Sequence, residues 1–213
     1  MMDKSKTVIL GSGVSGIGAV KLAQEKGLEI FLSDSKNIKS ETKKLLSKLE
    51  VKYEESGHTE KLIKDSKEII ISPGIDLRSL IKSKPSLKKK KIISEIEFAS
   101  RYTNAFIIAV TGTNGKTTTS KLIYHILKNS GFNVGLAGNI GYSFSESIVE
   151  NQFDYYVIEV SSFQLDHIIN FRPDISIITN ISPDHLDRYE NELENYAEAI
   201  FNIIRNQKSS DFF

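Results

Sequence analysis

Short apolar, β-branched runs recur along the chain at intervals that leave room for one helix between neighbours. That alternation constrains the fold more than any other feature. The runs are Thr7–Leu10, Leu28–Leu32, Glu68–Ser72, Ala105–Val110, Tyr155–Val160 and Ile175–Thr179. They are apolar nearly throughout rather than at every second position, the pattern of parallel strands covered on both faces. Helix-period segments lie among them at Ser15–Lys26, Glu41–Glu50, Glu95–Arg101, Lys116–Asn129 and Glu192–Arg205. Such alternation predicts right-handed βαβ crossovers and an α/β fold with mainly parallel sheets. The 213 residues suffice for two such units. One series ends and the next begins within residues 91–104, so domains are expected at 1–93 and 94–213.

Composition removes several classes of function. There is no cysteine, so disulfides, thiolate metal sites and a cysteine nucleophile are excluded. No apolar run reaches the roughly 18–20 residues that span a bilayer. The segment Met1–Lys6 carries no apolar core of a signal peptide, so the expected compartment is the cytoplasm. The net charge of +1 conceals an asymmetry. Residues 1–104 hold 21 basic against 14 acidic side chains, and residues 105–213 hold 7 against 13. Lys88–Lys91 reads as an exposed turn without interleaved aromatics, which argues against a nucleic-acid partner.

Four motifs follow strand ends. Gly11-Ser12-Gly13-Val14-Ser15-Gly16 leads from the first strand into a helix, whose free N–H groups favour an anion. Asp34, at the end of the second strand, stands where a carboxylate can hold a ribose hydroxyl. Thr111-Gly112-Thr113-Asn114-Gly115-Lys116-Thr117-Thr118 reads as a phosphate loop, although Val110 replaces its usual leading glycine. Its backbone would cradle phosphates, Lys116 would neutralise them and Thr117 would ligate Mg²⁺. Glu159 closes a buried strand and suits a Mg²⁺ ligand. The loop Asn180–Tyr189 brings Asp184, His185 and Asp187 to the same edge. His185 is the histidine expected to act there, whereas His58, His125 and His167 read as structural.

Together these motifs resemble the Mur ligases, ATP-dependent amide-forming enzymes of bacterial peptidoglycan synthesis. The resemblance runs from Thr7 to Gln207. Ser72-Pro73-Gly74-Ile75, Gly138-Asn139-Ile140-Gly141 and Glu159-Val160-Ser161-Ser162-Phe163-Gln164-Leu165 are most similar to the branch that adds D-glutamate. The resemblance implies a Rossmann-like N-terminal domain that binds a UDP substrate, followed by a partial P-loop central domain. It implies ATP and Mg²⁺ as cofactors, UDP-N-acetylmuramoyl-L-alanine and D-glutamate as partners, and a monomer. ATP would convert the substrate carboxylate to an acyl phosphate, which the amine of D-glutamate attacks.

The resemblance also distributes roles. Gly112, Thr113, Asn114, Gly115, Lys116, Thr117 and Thr118 would bind ATP, with Lys116 and His185 catalytic and Thr117, Glu159 and His185 at the metal. Val14, Ser15, Asp34, Ser35, Lys36, Ser72, Gly74, Asn139 and Ser161 would bind the UDP substrate. Two departures stand out. Family members carry a carbamylated lysine that bridges a second Mg²⁺, and the aligned position here is Ile200, on an apolar stripe with Leu193, Tyr196 and Ile204. The family also has a C-terminal domain beyond the length of this chain, so an N-terminal fragment inactive by itself is expected. A non-catalytic nucleotide-binding protein and an NAD-dependent oxidoreductase remain as alternatives.

Overall fold

Val8, Ile9 and Leu10 are completely buried, as an uninterrupted apolar run requires. They form the centre of a parallel sheet in the computed structural model, which describes residues 6–213. Met1–Ser5, most of the segment considered for a signal peptide, lie outside the described residues. The first unit runs β1 (Thr7–Leu10), α1 (Val14–Glu25), β2 (Ile30–Ser33), α2 (Ser40–Lys48), β3 (Lys52–Glu54), α3 (Glu60–Asp65), β4 (Glu68–Ile71), α4 (Leu77–Ser83) and β5 (Lys91–Ser94). Its strands pair in the order β3-β2-β1-β4-β5, all parallel. The order reverses direction between β1 and β4, and the loops after those two strands therefore flank a crevice. Leu10 pairs with Ile71, so Gly11 and Ser72 start their loops at one level.

The second unit runs α5 (Glu95–Ser100), β6 (Phe106–Thr111), α6 (Lys116–Asn129), β7 (Val134–Gly138), α7 (Phe144–Glu150), β8 (Tyr155–Glu159), α8 (Ser162–Leu165), β9 (Ile175–Ile178) and α9 (Leu193–Phe201). Its parallel sheet has the order β7-β8-β6-β9. Val110 and Gly138 both lie opposite Glu159, which aligns the loops after β6, β7 and β8. Phe212 continues the ladder by a single bridge to Ile175 on the edge strand.

The two units are sealed by α1 against α7. A Cβ on Gly18 would stand 1.8 Å from the Ser143 hydroxyl oxygen, so only glycine allows this approach. Lys21 forms an ion pair with Glu146 beside it. Glu95, buried at the same seam, accepts from the Ser145 amide. Burial, opposed by that hydrogen bond, pushes its carboxyl up to about 7.

The expected strands are all present, with ends shifted by up to two residues. Three were not expected: β3, β5 and β7. The helix expected to run to Arg205 ends at Phe201 and continues as a 3₁₀ turn, Asn202–Ile204. The lysine run is not one exposed turn. Lys88 and Lys89 close a 3₁₀ helix, Lys90 donates to the Lys64 and Ser66 carbonyls, and Lys91 opens β5.

Candidate functional site

The phosphate loop leaves β6 at Thr111 and enters α6 at Lys116. Gly112 adopts φ +125°, and a Cβ there would lie 2.3 Å from Thr179 Oγ1 and 2.8 Å from the Asn180 carbonyl. Gly115 caps α6 in the left-handed region, φ +81°. Both positions therefore favour glycine. Lys116 Nζ lies across the loop and donates to the carbonyls of Gly112 and Thr113, at 2.7 Å each. The segment after β9 ties the loop from the other side. Thr113 N donates to the Asn180 carbonyl (2.9 Å), Asn114 N donates to Asn180 Oδ1 (3.1 Å), and Thr179 Oγ1 and Asn180 Nδ2 donate to the Asn114 carbonyl. Thr113 Oγ1 contacts Ser182 and the Tyr196 hydroxyl.

Glu159 is 2% exposed, and the register of β8 places its carboxylate behind this loop. Thr117 Oγ1 donates to Oε2 at 2.7 Å and Asn139 Nδ2 to Oε1 at 3.0 Å. A hydroxyl and a carboxylate in contact beside a phosphate loop suit Mg²⁺, which takes few protein oxygens and completes its shell with phosphate and water. Among the described residues no three His, Asp or Glu side chains gather as an all-protein metal cage. The donor set thus fits a metal shared with a nucleotide. It offers nothing at position 200, where Ile200 is fully buried among Tyr189, Tyr196 and Ala199. Leu193, expected on the same buried stripe, is instead exposed.

A cavity of about 310 Å³ lies in front of the loop. It gathers Gly112, Lys116, Asn139, Ser161 and His185 from the second unit with Pro73 and Gly74 from the first. The backbone of His185 is left-handed, φ +49°, and its ring packs 5.1 Å from that of Phe163. Asp187, expected at the same edge, is exposed and does not line the cavity. Ser161 caps α8 in a capping box with Gln164. Asp184, expected at that edge, lines the cavity, and so do Phe163, Arg188 and Tyr196, which had no expected role there. For Arg188 the signal was present, since it lies inside the Asp-His-Leu-Asp-Arg-Tyr stretch.

The remaining expected residues do not line this cavity and follow strands of the first unit. Asp34 Oδ2 accepts from the amide and hydroxyl of Ser12, at 2.7 and 2.6 Å, and Oδ1 accepts from Lys36 N. Burial raises its pKa, but these hydrogen bonds outweigh burial and hold the carboxyl below its ordinary value. The carboxylate thus holds its own glycine loop. Val14 is exposed at the start of α1, Ser15 is half-buried, and Ser35 and Lys36 are exposed. A Cβ on Gly16 would collide with the Gly11 carbonyl, whereas Gly13 faces open space. Ser72 Oγ is buried without a partner next to Gly11. The histidines read as structural are elsewhere. His58 is buried on Ser33, His125 bonds Asn129 on the surface, and burial, aided by the Arg188 charge, pushes His167 down to about 4.

Two family models match the chain: the Mur ligase middle domain over residues 110–213 and the MurD N-terminal domain over residues 6–81. The chain is 51% identical over 208 residues to a UDP-N-acetylmuramoylalanine–D-glutamate ligase of Bacteroides thetaiotaomicron, covering 98% of this chain and 47% of the relative. It is 50% identical over 214 residues to one of Porphyromonas gingivalis, covering 100% and 48%. The chain spans about half the length of these curated relatives. Among solved structures it resembles UDP-N-acetylmuramate-alanine ligase from Thermotoga maritima, with TM-score 0.56, 22% identity and coverage of 95% and 47%. It also resembles UDP-N-acetylmuramate:L-alanyl-gamma-D-glutamyl-meso-diaminopimelate ligase from Neisseria meningitides, with TM-score 0.57, 21% identity and coverage of 97% and 69%. These likenesses support the two-sheet fold. Among the described residues no helix is long and apolar enough to cross a membrane.

Proposed function

This chain belongs to the Mur ligase family, and from that premise we propose that it forms the UDP-substrate- and ATP-binding part of a UDP-N-acetylmuramoylalanine–D-glutamate ligase. The reading assigns residues 1–93 to the UDP substrate and 94–213 to the nucleotide. The observation that carries it is the shared cavity, where Lys116, Asn139 and His185 meet the Pro73–Gly74 turn of the other unit.

Binding places the substrate carboxylate at this cavity. An oxygen of that carboxylate takes the terminal phosphoryl group and ADP leaves. The amine of D-glutamate then attacks the carbonyl carbon, inorganic phosphate departs and the amine loses a proton. In this scheme the amides of Gly112–Thr118 hold the phosphates, and Lys116 exchanges its two carbonyl partners for phosphate oxygens. Thr117 and Glu159 would hold Mg²⁺, which would supply charge neutralisation for phosphoryl transfer. His185 stands where it can contact the acyl phosphate. Asn139 and Ser161 face the muramoyl part, and Val14, Ser15, Asp34, Ser35, Lys36, Ser72 and Gly74 the UDP part. Phosphoryl transfer asks mainly for positioning and charge neutralisation, and this arrangement provides both.

Calorimetry with Mg-ATP tests the reading. Lys116→Ala should weaken binding by about 1.5–3 kcal/mol, the worth of a charge-assisted contact. Unchanged affinity would remove the loop from the nucleotide site, and equal binding of NAD and UDP-N-acetylmuramoyl-L-alanine would favour the oxidoreductase reading. Ile200 favours a second reading, a binding protein without ligase chemistry, because its buried side chain offers no metal ligand. D-glutamate-dependent phosphate release would decide against it.

A further inference from the structure

We propose that Arg188 is a positioning residue that couples the nucleotide half of the site to the UDP half, an inference that rests on the ligand assignment above. The segment from Asn180 to Glu190 touches both halves. At its start, Asn180 and Ser182 are hydrogen-bonded to Thr113 and Asn114 of the phosphate loop. At its end, the Arg188 guanidinium crosses to the first unit. Its Nη2 donates to the Ile75 carbonyl at 3.1 Å, and its Nε lies 3.8 Å from Asp76 Oδ1.

Both acceptors continue the Ser72–Gly74 turn. Asp76 caps α4, its carboxylate accepting from the amides of Arg78 and Ser79. The turn packs in its other direction on the first glycine loop, where Ser72 sits against Gly11. One connected path of contacts thus runs from the phosphate loop through Arg188 to the Gly11–Gly16 loop.

The guanidinium is held from behind as well. Its Cζ lies 4.3 Å from the centre of the Phe163 ring, and that ring also packs on His185 and stacks on Tyr189. A planar cation can lie on an aromatic face and donate in its own plane at once, which an ammonium cannot do. Arg188 has a side chain 22% exposed. The neighbouring inter-unit pair, Arg78 with Glu190 at 3.0 Å, is 55% and 69% exposed. Exposed pairs of that kind contribute little. The coupling therefore belongs to Arg188.

Coupling between two ligands is reciprocal and typically changes affinity by about 5–150-fold. Calorimetry on the full chain would measure the affinity for a non-hydrolysable ATP analogue with Mg²⁺, with and without saturating UDP-N-acetylmuramoyl-L-alanine. The ratio should be about 5-fold or more, and the same in the reverse titration. Because the ratio is taken within one variant, any loss of either single affinity cancels. Arg188→Ala and Arg188→Lys should bring it below about twofold, and Arg78→Ala should keep it near the wild-type value. A ratio near one in the wild-type chain, or one unchanged in both Arg188 variants, would overturn the coupling role. Failure of either ligand to bind would overturn the ligand assignment itself.

Discussion

The molecule contains two glycine loops that follow a central strand and open a helix, and they are secured by different partners. The loop Gly112–Lys116 is pinned on three sides: by its own lysine, by the Thr179–Asn180 backbone and side chains, and by Thr113 against Ser182 and Tyr196. In the loop Gly11–Gly16 one carboxylate, Asp34, takes both the amide and the hydroxyl of Ser12, and Gly11 donates to the Ser33 carbonyl and packs on Ser72. Its middle glycine has no atom within 4 Å of a virtual Cβ. Each loop thus has crowded and open positions: Gly112 is crowded and Gly115 open in one, whereas Gly11 and Gly16 are crowded and Gly13 is open in the other. Gly112 is there for the protein's own backbone, as are Gly11 and Gly16, and Gly13 leaves room for something else.

Three substitutions would break or sharpen this contrast. Gly112→Ala should act most strongly. It combines a backbone conformation unfavourable for alanine with a collision against Thr179 and Asn180, for an expected cost of about 2–5 kcal/mol. Urea denaturation should show the loss and calorimetry the disappearance of nucleotide binding. Asp34→Ala should release the first loop at a cost of about 1–2 kcal/mol, seen as faster hydrogen exchange at Ser12 with the phosphate loop unaffected. Acid should imitate it. The Asp34 carboxyl is held below its ordinary value, so its contribution stands above the unfolded pKa and fades as pH falls through the folded one. Gly13→Ala should be the mildest. Stability should be unchanged or rise by up to about 1 kcal/mol, while affinity for UDP-N-acetylmuramoyl-L-alanine falls because a methyl stands where the phosphate approaches. A stability loss as large as that of Gly112→Ala would erase the distinction.

The sequence made legible what local chemistry determines. Buried parallel strands such as Thr7–Leu10 read as unbroken apolar runs, and Lys116–Asn129 has the predicted helix bounds. Three strands escaped for physical reasons. Strand β3 is three residues long and half exposed, and β5 starts on the last residue of the lysine run. Strand β7, Val-Gly-Leu-Ala-Gly, has little intrinsic preference for a strand. Gly135 is required there because a Cβ would strike Phe153 and Tyr156. Within the site, Lys116, Thr117 and Glu159 could be placed because each follows a recognisable strand. The Arg188 bridge could not, because its partner Ile75 is 113 positions away and nothing local marks the pairing. The Asp34 contact with Ser12 was hidden by the same kind of separation, although both residues had drawn notice.

The absent side chain at Gly18 has a mechanical consequence. Two helices that touch with no methyl between them have no slack for sliding, because packed contacts of this kind move between discrete arrangements rather than deforming gradually. With α1 seated on Ser143 and flanked by the Lys21–Glu146 pair, sliding of one helix along the other must first break this seam. The cavity between the units is lined by thinner material, the Pro73–Gly74 turn and the segment that carries Asp184, His185 and Arg188. That segment already contains three residues outside the ordinary backbone regions, His185, Glu190 and Asn191.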